Sequence, residues 1–445
     1  MVAELTRELP DGRAATAAPR AARPPSTTPD PLGRFARSQA LNAARHATAL
    51  RPFRRGEFGP GPAAPSVAQI AGANALIARL RRALIRQATG VGQAALVAAA
   101  RPDTAGLHDL LRRKDAAGDA VKAVEQIWDF YFELFGQRQS AVGQMLLAAD
   151  RIAIDCYSAI YTGLGAPRPL PSPPPFTFMA TGFSPATYRR GVPLTKLGRR
   201  GNPFPIVELP YHRLINPWTL GAVHHEISHN LQSDLGLWEV VPARVARRLR
   251  AAGLPSTVAA TWARWNKEIW ADLCGQLLGG PALIPSLMDV VAMAPARGQA
   301  FNPDGVHPTP YLRVPISLEL LRRMGFEAEA VAGRRLWARL YPSDRAGTLP
   351  RALLDTFPQA VALTVDTICY APYQQLGGRT LAQVVSFNRV HDALAQEAAG
   401  RLAAGAAPGI IPPRFFVAAA RSAFERQLAP PGRIATEFYR ALAGR

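Results

Sequence analysis

Apolar residues recur at three- and four-residue spacing over most of this chain, which predicts a protein built mainly from helices. Ile70, Ala73, Ile77, Leu80 and Leu84 mark one run. Val124, Ile127, Trp128, Phe132, Phe135, Leu146 and Ile152 extend the pattern towards residue 164. Gly163 and Gly165 end it, and the prolines between Pro167 and Pro175 fit neither a helix nor a central strand. The pattern then shortens to extended segments over 177–181 and 205–210, which the flanking prolines confine to sheet edges. A helix is predicted next, with Asn216 as cap, Pro217 in the first position and Gly236 at its stop. A basic helix over 242–252 comes after it, then a long one from a Ser256 cap through Gly279, packed by Trp262, Trp265 and Trp270. Further helices are expected at 317–324, 349–371, 381–402, 414–428 and 433–442, with Pro358 breaking or kinking the second. The fold class is therefore mainly α, of the α+β kind, with a small antiparallel sheet beside the helix that begins at Pro217.

Composition divides the chain further. Residues 1–64 are rich in Pro, Ala and Arg, have little to bury, and read as a disordered leader with room for a short helix over 38–49. Residues 65–165 form an N-terminal helical region expected to pack on the core, and 166–445 the main domain. The formal charge is +20 and the hydrophobic content 48%. Lysine occurs only at Lys114, Lys122, Lys196 and Lys267, so the charge is nearly all arginine, and a compositional bias explains it more simply than nucleic acid does. No nucleic-acid partner is expected.

Cys156, Cys274 and Cys369 are odd in number, far apart, and fit buried thiols in a reduced compartment. The N-terminus lacks the apolar run of a signal peptide. The most apolar stretch, 281–296, is interrupted by Pro285 and Asp289, so no transmembrane segment is expected and the simplest location is the cytoplasm.

The candidate chemistry lies at His225-Glu226-x-x-His229. Residues four apart share one face of a helix, so two imidazoles point the same way and form half of a tetrahedral zinc site. Glu226 stands beside that position as a base for metal-bound water. On the helix from Ser256, Glu268 is placed as the third ligand, which leaves the fourth position open. Asp272, one turn on, is in reach of the free ring nitrogen of a ligand histidine. The competing reading is an amphipathic helix with surface histidines and a solvated acidic pair. His212 and His391 read as structural; the role of His224, which points about a third of a turn away from the metal position, is left open.

In this order the two motifs resemble the gluzincin metallopeptidases. His307-Pro308-x-x-x-x-Arg313 resembles the element downstream of the glutamate in CAAX-type prenyl proteases and their soluble relatives, and Asn266, two residues before Glu268, matches the same group. The resemblance covers three short segments between 216 and 313, and the family's usual membrane spans are absent. It implies that His307 and Arg313 line the site and stabilise the tetrahedral intermediate, that Asn266 supports the ligands, and that residues 204–209 form an edge strand which pairs with substrate backbone.

The function expected is a Zn2+-dependent peptidase acting on a peptide or protein substrate, with Glu226 as general base. Two alternatives stand beside it: a zinc-containing binding or scaffold protein without turnover, and an arginine-rich nucleic-acid or membrane-surface protein with incidental histidines.

Overall fold

The computed structural model describes residues 31–167, 170–197, 199–342 and 347–444. It is 70% helical, with one three-stranded and one two-stranded sheet. The chain divides into two compact units.

The first unit takes in residues up to Glu57, Ile70–Glu133 and Thr195–Arg199. It contains α1 (Pro31–Ala49) and most of α2 (Val67–Ala100) and α3 (Thr104–Gly136). Ala36 packs among Val91, Ala94, Ala95, Ala98, Leu110 and Ala117, small side chains that let helix backbones approach closely. Phe53 lies against Trp128, which stacks on Phe132 and donates its indole N–H to the Arg51 carbonyl at 3.2 Å.

Residues 31–64 depart from the expected disordered leader. Pro31 opens α1 at the first helical position, which its fixed φ favours, and no further proline occurs before Pro52. Leu50, Phe53 and Phe58 are buried, so this segment has something to bury after all. Residues 1–30 of the expected leader lie outside the described residues.

The second unit holds Phe58–Gln69, Leu134–Leu194 and Arg200–Arg445. The division at residue 134 places α4 (Gly143–Gly163) in this unit. After α4 come β1 (Phe176–Ala180), β2 (Ala186–Tyr188), the short β3 (Pro193–Leu194) and β4 (Arg200–Gly201), and β5 (Ile206–Pro210). The main sheet has the order β1-β5-β2, with β1 parallel and β2 antiparallel to β5. It is mixed, where an antiparallel sheet was expected. Strand β5 is central, so residues 204–209 cannot accept a further strand; the edge of the sheet next to the histidine helix is β2.

Following a single turn, α5 (Tyr211–Leu214), the chain forms α6 (Gly221–Asp234), α7 (Val240–Ala251) and α8 (Ser256–Gly279). Asn216 precedes a 3-10 turn over Pro217–Thr219 and donates its amide to the His212 carbonyl instead of capping α6. Gly236, at φ 69°, stops α6 as expected, because the left-handed region favours glycine. Pro255 occupies the N-cap of α8, so Ser256 is its first residue and not its cap.

Helices α6 and α8 lie side by side. Trp262, Trp265 and Trp270 are fully buried, and the Trp270 indole N–H donates to the Ser228 carbonyl at 3.2 Å. Then come α9 (Leu283–Val291), the one-turn α10 (Pro295–Gly298), α11 (Pro310–Arg323), α12 (Glu327–Leu340) and α13 (Arg351–Val365). The chain ends with α14 (Leu381–Val384), α15 (Arg389–Ala404), α16 (Phe416–Glu425) and α17 (Pro431–Ala443).

Several predicted boundaries move. Helix α13 runs through Pro358 and gives way to a π-helical turn over Asp366–Tyr370. The run expected over 381–402 splits where Asn388 caps α15, with His391 completing a capping box. Helix α12 was not expected from the apolar pattern. The stretch Ser256–Val291 is long and apolar enough to cross a membrane by length and composition. In the fold Gly280, at φ 76°, interrupts it between α8 and α9, and much of it is buried in protein.

Strand β1 is tied to α4 by a buried ion pair. The Arg138 side chain is fully buried and donates to both Asp150 oxygens, at 2.7 and 3.2 Å, and to the Thr177 carbonyl. Asp150 Oδ1 also accepts from the Thr177 amide at 2.7 Å and hydroxyl at 2.8 Å. Removing one partner leaves the other charge uncompensated in the interior. Asp150→Ala is expected to lower stability by about 3–5 kcal/mol, measured as a shift in the denaturant midpoint of this unit.

Candidate metal centre

Two helical periods bring the donors together. His225 and His229 are one turn apart on α6, and Glu268 faces them from α8. His225 Nε2 lies 3.2 Å from His229 Nε2 and 3.4 Å from Glu268 Oε2, while His229 Nε2 lies 3.4 Å from Glu268 Oε1. A tetrahedral ion with bonds of roughly 2.0–2.1 Å needs ligand atoms ~3.3 Å apart. The three donors therefore fit a tetrahedral divalent cation without rearrangement. They are the residues among those described that group as a metal site.

Behind the donors runs a chain of charged contacts. His225 Nδ1 lies 2.8 Å from Asp272 Oδ1, which assigns a proton to Nδ1 and turns Nε2 towards the other two donors. Arg313, from α11, grips the same carboxylate with Nε to Oδ2 at 2.9 Å and Nη2 to Oδ1 at 2.8 Å. Its Nη2 is also 3.7 Å from Glu268 Oε2. Burial opposes ionisation of Asp272, but Arg313 and His225 outweigh it and hold the carboxyl below its usual range. Glu268 is likewise lowered against its burial by His225, His229 and Arg313. Burial pushes His229 down to about 3, so its ring is neutral and ready to bind a cation. Burial also opposes charge on His225, yet Asp272 and Glu268 together raise it to about 10. Burial lifts Glu226 to about 7.

The expected site residues take different places. Glu226 is buried and lines the same cavity as His225 and Glu268. His307 stands at the mouth with its side chain 65% exposed and Nε2 3.4 Å from Glu268 Oε1. Arg313 lines the cavity, but its guanidinium is engaged with Asp272, so it orders the ligand support where an oxyanion contact was expected. Asn266 is not brought to the cavity. Two residues along a helix is about 200° of rotation, and its fully buried amide faces away without a partner among the described residues.

His224, whose role the sequence left open, is fully buried beside the Arg414 carbonyl at 2.9 Å and is lowered by burial to about 4, which fits a structural role. His212 stacks on Phe183. Compared with family models, curated proteins and solved structures, the chain matches none. The site therefore stands on its own geometry.

The sequence motifs did not reveal the rest of the cavity. Gly221, Ala222, Ala271 and Gly275 form a small-residue wall, and Leu283, Ile284, Leu287 and Val290 of α9 an apolar one. Gly221 permits the approach of α9, since a Cβ there would meet Ser286 at 2.7 Å and Leu283 at 2.9 Å. Beside His229, Trp238 lies under the Arg189 guanidinium at 3.4 Å and the Lys267 ammonium at 4.3 Å. Helical spacing carried part of this signal: Gln276 and Ser317, also in the wall, come one turn after Asp272 and Arg313.

Because His225 holds a proton to about 10 without metal, a cation must displace it at neutral pH. Metal affinity is therefore expected to rise with pH, by about tenfold per unit below that value. Calorimetry in buffers of different ionisation enthalpy should count about one proton released per ion bound at pH 7. His225→Ala and His229→Ala should abolish stoichiometric metal.

Proposed function

We propose that the protein is a zinc-dependent peptidase with Glu226 as its general base. The reading rests on one observation: two imidazoles and a carboxylate stand at tetrahedral spacing, and the cavity lined by His225 and Glu268 also holds a buried glutamate with no hydrogen-bond partner among the described residues. Zinc held there supplies an acidified water and polarises the carbonyl to be cleaved.

The protein's own residues supply the remaining functions. Glu226, near neutrality in its proton affinity, takes a proton and returns it to the leaving amine. Asp272, clamped by Arg313, holds the His225 ring in one tautomer. His307, at the mouth, is available as a donor to charge developing on the carbonyl oxygen. Strand β2 has no strand on its outer side among the described residues and packs on α6, the hydroxyl of Thr187 meeting the Asn230 amide. It is the edge to which an extended peptide backbone can add.

Glu226→Gln should retain metal and fold but lose hydrolysis, because an amide cannot accept the proton. The assay is a broad peptide library, read by mass spectrometry for new termini. A wild-type protein that binds zinc and cleaves nothing would leave a zinc-containing binding protein as the better reading.

His307→Ala should leave zinc content and thermal stability nearly unchanged while lowering kcat by about 10²–10³-fold. Full-rate cleavage by that variant would remove the imidazole from the reaction.

A further inference from the structure

The cavity continues past the three donors along α8, and its wall changes character there. Near the donors it is bounded by Ala222 and Ala271, and along α9 by Leu283, Leu287 and Val290. Two buried polar side chains interrupt this apolar lining. Gln276 is fully buried and neither its Oε1 nor its Nε2 has a partner; Ser317 is 2% exposed and its hydroxyl is also unpaired among the described residues. Both line the cavity.

Leaving a buried donor or acceptor unpaired destabilises the fold. Such groups are retained where something completes them. We propose that this chamber is the specificity pocket of the peptidase and takes a glutamine-type side chain, an apolar stem ending in a neutral primary amide. The proposal rests on the peptidase reading and names its substrate class.

Chemistry, length and charge each narrow the occupant. An amide offers one acceptor and two donors, so it can pair reciprocally with the Gln276 amide and still reach the Ser317 hydroxyl. Gln276 is two turns beyond Glu268, about 12 Å along the helix. Side chains on a helix lean towards its N-terminus, which brings the Gln276 amide back by part of that distance. The remainder suits a long side chain better than asparagine.

The whole cavity, from the donors to Gln276, has a volume of about 140 Å³, which limits the occupant of its inner end to a single side chain without a bulky ring. A carboxylate terminus is disfavoured because the one arginine in the wall, Arg313, is already paired with Asp272, so the anion would be desolvated without compensation.

The test compares wild type with Gln276→Met, which keeps length and removes hydrogen bonding, and with Ser317→Ala. Peptide sets vary one position beside the cleaved bond through Gln, Asn, Met, Leu, Glu and Lys. Wild type should prefer Gln over Met by at least about tenfold in kcat/KM, and Gln276→Met should abolish or invert that preference. Zinc content should be unchanged in both variants.

A second arm needs no turnover. Two zinc-chelating hydroxamates, identical except for an amide-ended or a thioether-ended side chain of equal length, are titrated into zinc-loaded protein. The amide-ended probe should bind at least about tenfold tighter to wild type, and this margin should vanish in Gln276→Met.

Equal affinities for the two probes, or a margin that survives Gln276→Met, would overturn the pocket assignment whatever the activity. Tight, Gln276-dependent binding without cleavage of any peptide would uphold the pocket and refute the peptidase reading. Failure to take up zinc would overturn both.

Discussion

The Asp272 carboxylate is the joint on which the candidate site depends. One of its oxygens meets His225 Nδ1 at 2.8 Å and the Arg313 fork spans both. Three helices, α6, α8 and α11, are thereby locked at one depth. An isolated carboxylate buried this far would be strongly disfavoured as an anion. It is tolerated because a bidentate guanidinium compensates it, and the compensation in turn gives His225 a fixed tautomer and orientation. The same contact explains why His225 and His229, neighbours on one helix, have opposite proton affinities. His225 sees Asp272 and Glu268, whereas burial dominates at His229.

Around that joint the fold provides rigidity on one side and space on the other. Trp262, Trp265 and Trp270 fill the back of α8, and the Trp270 indole bonds to the backbone of α6, so the separation of the two helices is fixed by packing. Towards α9 the side chains become small, and Gly221 lets that helix approach until only a narrow chamber remains. Donors held on helices with a packed rear face can keep the sub-ångström spacing that a metal centre needs. A loop-borne set would not do so as readily. Strand β2, on the open side, leaves backbone groups available next to the donors.

His225, His229 and Glu268 were legible in the chain because helical periodicity alone puts i and i+4 on one face, and Gly236 and Ser256 marked helix limits to within a turn. Asp272 was legible for the same reason, and so were the buried tryptophan stripe and the mainly helical class. At two further site positions local order could not carry tertiary information. Asn266 is close in sequence to Glu268, but the helix turns it about 200° away. Arg313 carries a donor fork suited equally to substrate or to a buried carboxylate, and only the approach of α11 to Asp272 decided between them.

The sheet shows the same division. The sequence marked 177–181 and 205–210 as short strands, yet which one lies in the middle depends on long-range pairing that no local signal encodes. The segment 31–64 looked disordered because composition averages over it, while burial of Phe53 and Phe58 depends on partners far along the chain. By itself, then, the sequence determined the helical class, the helix bearing the two histidines and the order of the donor motifs, since these arise from periods of a few residues. The tertiary structure alone decided the spacing of the three donors, the pairing of Arg313, the central position of β5 and the chamber ending at Gln276 and Ser317, because each depends on how separate elements pack.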